Sequence, residues 1–459
     1  MKSFITLKTI FLFLVVINQL SAQNNPAITS WLQNTTNIKG RHYVAGNSTP
    51  IQDDVLANVQ KVQYSASSVY VSATGIPAYI TGPFQDGNPS FATDQNSIFK
   101  LPLNPVRQSG TPSPTTGGNI GIFINGVALF DYRDGVAWNP TSNNICGGPG
   151  NAACAGGMGA TQAWNRDAIP AERRGFDCAK AHPAMGNYHH HQNPSAFNLD
   201  KVVASNVCDL YPADGLYVID ANKHSPLLGF AYDGFPIYGA YGYKNLDGTG
   251  GIVRMKSSYS LSTNTTRTNG PNVGQVVGAQ TFFNGYFRED YLYTATSAAT
   301  PDFLDEHNGR VCVTPEYPNG IYCYFATVDA DWNSAYPYVV GPTFYGVRSA
   351  SKVTSITEAV TTFVGTTSAI ADMNKEYFEM MVYPNPASDF IAVQLSDVVK
   401  SSAEIKLTDI FGKEIQKTQL TQGSTIGILD ITTLYTGTYL ISVTLQGHTT
   451  TKKIVVNKN

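Results

Sequence analysis

Ile120-Gly121-Ile122-Phe123-Ile124-Asn125-Gly126-Val127-Ala128-Leu129-Phe130 is two apolar runs joined by Asn-Gly. Asn-Gly between apolar runs is the strongest short hairpin signal, because a two-residue turn of this kind needs positive φ at both central positions. The stretch predicts two adjacent antiparallel strands, and the same pattern continues on either side. Upstream, Val69-Tyr70-Val71-Ser72-Ala73 and Ala78-Tyr79-Ile80-Thr81 read as strands separated by Gly and Pro. Residues 104–119, with Pro105, Gly110, Pro112, Pro114, Gly117 and Gly118, read as a loop, and 139–160 as a long Gly/Asn-rich excursion. Downstream, Asp233-Gly234 divides two aromatic-apolar runs in a second hairpin pattern, and aromatic strands follow from Tyr322 to Thr327. With 41 Gly and 26 Tyr in 459 residues and few good helix formers, the composition suits short strands and long turns. The expected fold class is mainly β: a large aromatic- and turn-rich β domain followed by a small C-terminal β-sandwich.

The ends of the chain set the domain plan. Residues 1–22 have the form of a signal peptide. Lys2 and Lys8 precede a short apolar run from Ile10 to Ile17, then small residues at Ser21 and Ala22. That run is too short to span a bilayer, which takes about 20 apolar residues. Nothing later is long and apolar enough either, so an exported, soluble product with no transmembrane segment is expected. Residues 24–350 form the large domain. Residues 351–378 are Thr/Ser/Ala-rich and read as a linker, and residues 379–459 as a separate all-β unit. In that unit Ile391-Ala392-Val393-Gln394-Leu395 and Tyr439-Leu440-Ile441-Ser442-Val443 alternate well. The formal net charge is −3 and only 14% of residues are charged, with no basic stripe, which excludes nucleic acid as a partner.

Six cysteines in an exported chain fit three disulfides, and six allow 15 pairings. Cys312 and Cys323 flank a turn-rich segment, Cys146 and Cys154 a Gly-rich loop. That leaves Cys178 with Cys208 around the segment richest in histidine.

This segment is Gly186-Asn187-Tyr188-His189-His190-His191-Gln192-Asn193-Pro194, with three of the chain's eight histidines in a row. If it is extended, His189 and His191 share one face, and Tyr188 and His190 the other. Two imidazoles at i and i+2 can converge on one metal ion at roughly 2.0–2.1 Å. His182 lies a short turn earlier, Asp177 a little before it, and His224 and His307 are further candidates for the shell. Imidazole in an oxidising compartment, without a thiolate or thioether at hand, points to copper or zinc. The bland reading is a polar, aromatic core in which imidazoles satisfy buried backbone groups. No G-x-S-x-G elbow, H-E-x-x-H helix or Walker-type loop competes.

Two family resemblances rest on these motifs. Asn125-Gly126-Val127, Trp164-Asn165-Arg166-Asp167-Ala168, Asp177-Cys178, His182-Pro183, Gly186-Asn187-Tyr188-His189-His190-His191, Ser225-Pro226-Leu227-Leu228-Gly229, Asp233-Gly234-Phe235-Pro236-Ile237-Tyr238-Gly239 and Asn308-Gly309-Arg310 resemble the YHYH-domain family. His190 stands where that signature has its second tyrosine, and His189 and His191 are retained. Val382-Tyr383-Pro384-Asn385-Pro386-Ala387, Asp409-Ile410-Phe411-Gly412-Lys413, Gly437-Thr438-Tyr439 and Lys452-Lys453 resemble the C-terminal type A sorting domain of the type IX secretion system. That resemblance implies a Bacteroidota-type cell, passage through periplasm and outer membrane, the secretion machinery as partner, and a secreted or cell-surface destination.

The expected function is metal binding, copper or zinc, by an exported protein, with metal ligands drawn from His182, His189, His191, His224, His307 and Asp177. The alternatives are a metal-dependent enzyme (copper oxidoreductase or zinc hydrolase) acting on a small molecule and a structural or adhesive surface protein.

Overall fold

The computed structural model describes residues 25–458 except 86–90, 202–205, 212–214, 298, 365–379, 396–398, 400–401, 410–412 and 446–447. The leader expected at 1–22 lies outside the described residues. The protein is mostly β, and the chain divides after Val364 into two compact units.

The first unit is organised by an eight-stranded sheet. In spatial order its strands are Ala181–Ala184, Asn187–His190, Ala128–Phe130, Asn119–Phe123, Leu227–Ala231, Pro236–Tyr238, Ile321–Phe325 and Gly309–Cys312. Most neighbours are antiparallel; Asn187–His190 joins Ala128–Phe130, and Pro236–Tyr238 joins Ile321–Phe325, in parallel. The sheet's central strands are apolar on both faces: Ile122, Phe123, Leu228, Phe230 and Ile237 are each 1% exposed or less, as expected of strands covered on both sides.

The hairpin expected at Asn125-Gly126 forms, with a different turn. Only Gly126 has positive φ, at 83°. Gly126 N donates to the Phe123 carbonyl and Phe123 N to the Val127 carbonyl, 2.8 and 2.9 Å. This is a three-residue loop closed by one left-handed residue. Asp233-Gly234 repeats it: Gly234 N donates to Ala231 and Ala231 N to Phe235, with Gly234 at φ 89°. The two-residue turn with both central φ positive occurs at Met185 (48°) and Gly186 (81°), between Ala184 and Asn187.

A second, five-stranded sheet has the order Ser351–Val353, Ser97–Pro102, Ser68–Ala73, Val59–Tyr64, Thr361–Phe363. Its two outer strands come from the stretch read as the start of a linker. Three-residue runs, Ser-Lys-Val and Thr-Thr-Phe, suffice at a sheet edge, where only one side needs pairing, and they carry too few alternations to stand out in sequence.

Two of the expected disulfides are present, Cys146–Cys154 and Cys178–Cys208. The second encloses the histidine segment. The third is not: Cys312 and Cys323 are buried thiols. Cys312 pairs with Ile321 and Cys323 with Arg310, so the two are diagonal neighbours. A diagonal step of roughly 7–8 Å exceeds the usual reach of a disulfide. The thiols still hydrogen-bond each other, which together with Arg310 lowers the pKa of Cys312 against the effect of its burial.

The second unit has a three-stranded sheet (Met380–Tyr383, Phe390–Leu395, Ile426–Asp430) and a four-stranded one (Glu414–Leu420, Ala403–Asp409, Gly437–Leu445, His448–Val456). Ile391, Val393 and Leu429 from the first and Ile405, Leu407, Ile441, Val443 and Ile454 from the second form one core. Alternation along each strand puts these residues on facing inner surfaces, which makes the unit a sandwich. Among the described residues, no helix is long and apolar enough to cross a membrane.

Candidate metal centre

The tight turn at Met185-Gly186 fixes the register of the histidine hairpin. A two-residue loop pairs Ala184 with Asn187, Pro183 with Tyr188 and His182 with His189. Gly186 is required here, since a Cβ would stand 2.1 Å from Thr93 Oγ1 at a φ that side chains rarely adopt. Cross-strand pairing puts His182 beside His189, and alternation puts His191 on the same face. The imidazoles converge: one ring nitrogen of each lies within 4.8 Å of the others, and His189 Nε2 is 3.1 Å from His191 Nε2.

The outer nitrogens of His189 and His191 set which way their inner ones face. His189 Nδ1 faces the Asn187 carbonyl at 2.8 Å, and His191 Nδ1 faces the Asp131 carbonyl at 2.7 Å. A carbonyl can only accept, so in each neutral ring Nδ1 carries the hydrogen and the Nε2 lone pair points into the cluster. Such outer contacts fix the tautomer and orientation of metal-binding histidines. Aromatic walls hold the rings: Phe130 stacks on His189 with centroids 3.8 Å apart, and Phe176 meets His182 edge-on at 4.9 Å. The cluster is buried, with His182, His189 and His191 at 8, 2 and 4% exposure. Desolvation, then the neighbouring imidazoles, push the pKa of His189 well below its ordinary value, so it is neutral. Three imidazoles converging in this way are compatible with a metal ion.

A carboxylate that sequence reasoning missed stands against this cluster. Glu172 ends the short helix Ala168–Glu172, which is capped by Asp167 and tied to the first unit by Ala168 N donating to the Tyr132 carbonyl. Its Oε2 lies 3.2 Å from His182 Nε2 and 3.4 Å from His191 Nε2. The oxygen is shut away from solvent and meets no hydrogen-bond geometry. Burial alone would raise its pKa, but His182 and His191 hold the carboxyl well below the usual carboxylate range. Nothing in Pro170-Ala171-Glu172-Arg173-Arg174 distinguishes this Glu from a solvated helix residue.

The other candidates lie elsewhere. Asp177 is buried on the opposite side of the hairpin, where its carboxylate accepts from Gly82 N, Tyr188 Oη, Ala179 N and Ala181 N at 2.8–3.2 Å. Burial pushes its pKa up to about 7. His224 has Nδ1 2.7 Å from the Ser225 carbonyl, meets Tyr238 edge-on, and lines a separate cavity of about 370 Å³. His307 has Nδ1 2.7 Å from Thr343 Oγ1 and packs against Tyr345. Among the described residues, only His182, His189 and His191 form a group of this kind. His190 does face away with Tyr188, and it is packed, not solvated: Nδ1 meets the Lys180 carbonyl at 3.2 Å and Nε2 the Tyr79 hydroxyl at 2.9 Å.

The fold and this cluster define a mainly β domain with a buried histidine centre, joined to a small sandwich. The chain belongs to the YHYH protein family, whose pattern matches residues 98–337, just over half of its length. Residues 381–457 match the secretion system C-terminal sorting domain, so the protein is secreted or displayed at the cell surface. No curated protein matches the chain. Among solved structures, CopC from Methylosinus trichosporium OB3b is similar to part of it, at 16% identity over 18% of this chain and 96% of that one, with a TM-score of 0.14.

Proposed function

We propose that this is an exported metal-binding protein in which His182, His189 and His191 hold one metal ion, copper or zinc. The observation that supports this most is the division of labour within the rings of His189 and His191. Each Nδ1 is anchored to a backbone carbonyl, while the Nε2 atoms face each other 3.1 Å apart. Two acceptor nitrogens this close repel unless a proton or a cation lies between them. Bonds of 2.0–2.1 Å from a tetrahedral ion place its ligand atoms roughly 3.3 Å apart, so the His189–His191 separation already fits, and His182 has only to close in. The surrounding Phe130 and Phe176 exclude water and keep the rings in place.

The test is elemental analysis of the mature full-length protein after exposure to copper, zinc, manganese and iron in equal amounts. Near one equivalent of copper or zinc, lost in His189→Ala, is the expected result. Negligible metal in the folded wild type would leave a buried polar core as the better reading.

A further inference from the structure

We propose that Glu172 is the fourth ligand, so that the centre is a three-nitrogen, one-oxygen site closed to outside molecules. This inference rests on the metal reading above and deepens it: it assigns the last coordination position, and with it the choice between holding a metal and doing chemistry on one.

The geometry carries the argument. In a tetrahedral site with 2.0–2.1 Å bonds, every pair of ligand atoms is separated by roughly 3.3 Å. Three measured separations already agree: 3.1 Å for His189–His191, 3.2 Å for His182–Glu172 and 3.4 Å for His191–Glu172. Glu172 Oε2 therefore stands at ligand spacing from His182 and His191; it falls outside the group whose ligand atoms all lie within 4.8 Å of one another, so it has to close in on His189 to complete the four. It is also a buried acceptor whose only near partners among the described residues are the His182 and His191 rings, at 3.2 and 3.4 Å and short of full hydrogen-bond geometry, and buried acceptors held so loosely are rare unless something further satisfies them. The histidine nitrogens near it cannot all do so. His191 Nδ1 already holds the hydrogen that faces Asp131, so its Nε2 is an acceptor too when the ring is neutral. A cation satisfies the carboxylate and the lone pairs together. The helix bearing Glu172 is not free to drift. Its capping residue Asp167 is buried and accepts from Tyr338 Oη at 2.6 Å and Ile169 N at 2.9 Å.

Three imidazoles and a carboxylate suit a divalent ion, zinc or cupric, and disfavour the soft cuprous ion. With all four positions filled from the chain, the site has the closed form of structural zinc centres; catalytic centres keep one position for water.

The experiment uses full-length protein loaded with Zn(II) for affinity and with Co(II) as a spectroscopic probe, in wild type, Glu172→Gln, Glu172→Ala and His189→Ala. The expected result is a four-coordinate Co(II) spectrum in wild type that azide leaves unchanged. In Glu172→Ala azide should bind and shift the spectrum, and Glu172→Gln should weaken Zn(II) binding at least 10–100-fold, the loss usual even for a group that only supports a ligand. Thermal unfolding of the metal-free variants checks that each folds, and Gln nearly preserves the shape of Glu. Wild-type affinity and an unchanged Co(II) spectrum in Glu172→Gln, or azide binding to wild type, overturns the assignment of Glu172 and leaves the three-histidine reading standing. Absence of metal from wild type overturns both.

Discussion

On one face of the histidine hairpin, His190 commits both ring nitrogens to the protein, to the Lys180 carbonyl and the Tyr79 hydroxyl. On the other face, one strand position away in each direction, His189 and His191 commit only Nδ1 and leave Nε2 turned inward. All three are buried. What separates them is bookkeeping of donors and acceptors: His190 is a finished polar core residue, while its neighbours are finished only when something bridges them. Burial and residue type alone do not mark a ligand; under the proposed metal reading, it is the inward-turned lone pair that does.

The strongest way to break this contrast is to remove one histidine from each face. His189→Ala should lower metal affinity on the order of 100-fold or more while the protein stays folded. His190→Phe should leave the metal content unchanged. Equal metal loss in both would erase the distinction. A related outcome concerns stability. Metal at 100 times its dissociation constant should stabilise wild type and His190→Phe by about 2.7 kcal/mol and His189→Ala by much less, read as the shift in denaturant midpoint on adding metal. Without metal the order reverses. His190→Phe should cost about 2 kcal/mol, because the Tyr79 hydroxyl and Lys180 carbonyl lose their partner in the interior.

The packed face also carries a pH signature. Asp177 beneath it has its pKa raised by burial to about 7, so the folded state favours the protonated acid. A raised carboxyl contributes stability that is complete below its unfolded value near 4 and is lost as pH rises through the folded value. Asp177→Asn cannot titrate, so the gap in denaturant midpoint between it and wild-type metal-free protein should narrow from pH 4 to pH 8. A constant gap would mean the carboxylate stays ionised on its four hydrogen bonds. The smallest effect is at the turn that sets the register of both faces. Met185 is 95% exposed with φ at 48°. Replacing it with Asn, which tolerates that conformation, should stabilise by about 0.5–1 kcal/mol with metal binding intact.

Much of this was legible in the sequence, and for definable reasons. Strand alternation put His189 and His191 together, since period two needs no tertiary information. His182 came with them because the turn has two residues, yet Met in a left-handed position is no turn signal, so the register of the hairpin was hidden. The same blindness worked the other way at Asn125-Gly126, whose residues suit a two-residue turn but close a three-residue one. Glu172 was invisible, because a carboxylate on a short charged turn looks solvated until the fold brings the hairpin under it. His224 and His307 carried the right side chain in the right kind of loop, but the fold leaves them outside the group that His182, His189 and His191 form.

The strands Ser351–Val353 and Thr361–Phe363 bear on how the protein is made. Thr361–Phe363 pairs with Val62–Tyr64 from roughly 300 residues earlier, a separation of the kind that slows folding. The five-stranded sheet therefore stays incomplete until almost the whole first unit has been synthesised, with the sorting domain directly behind it. A fragment ending at residue 350 leaves Val59–Tyr64 and Ser97–Pro102 as open edges that invite aggregation. One ending at Val364 keeps both edges covered, so fourteen residues decide whether the sheet of the first unit is closed at its sides.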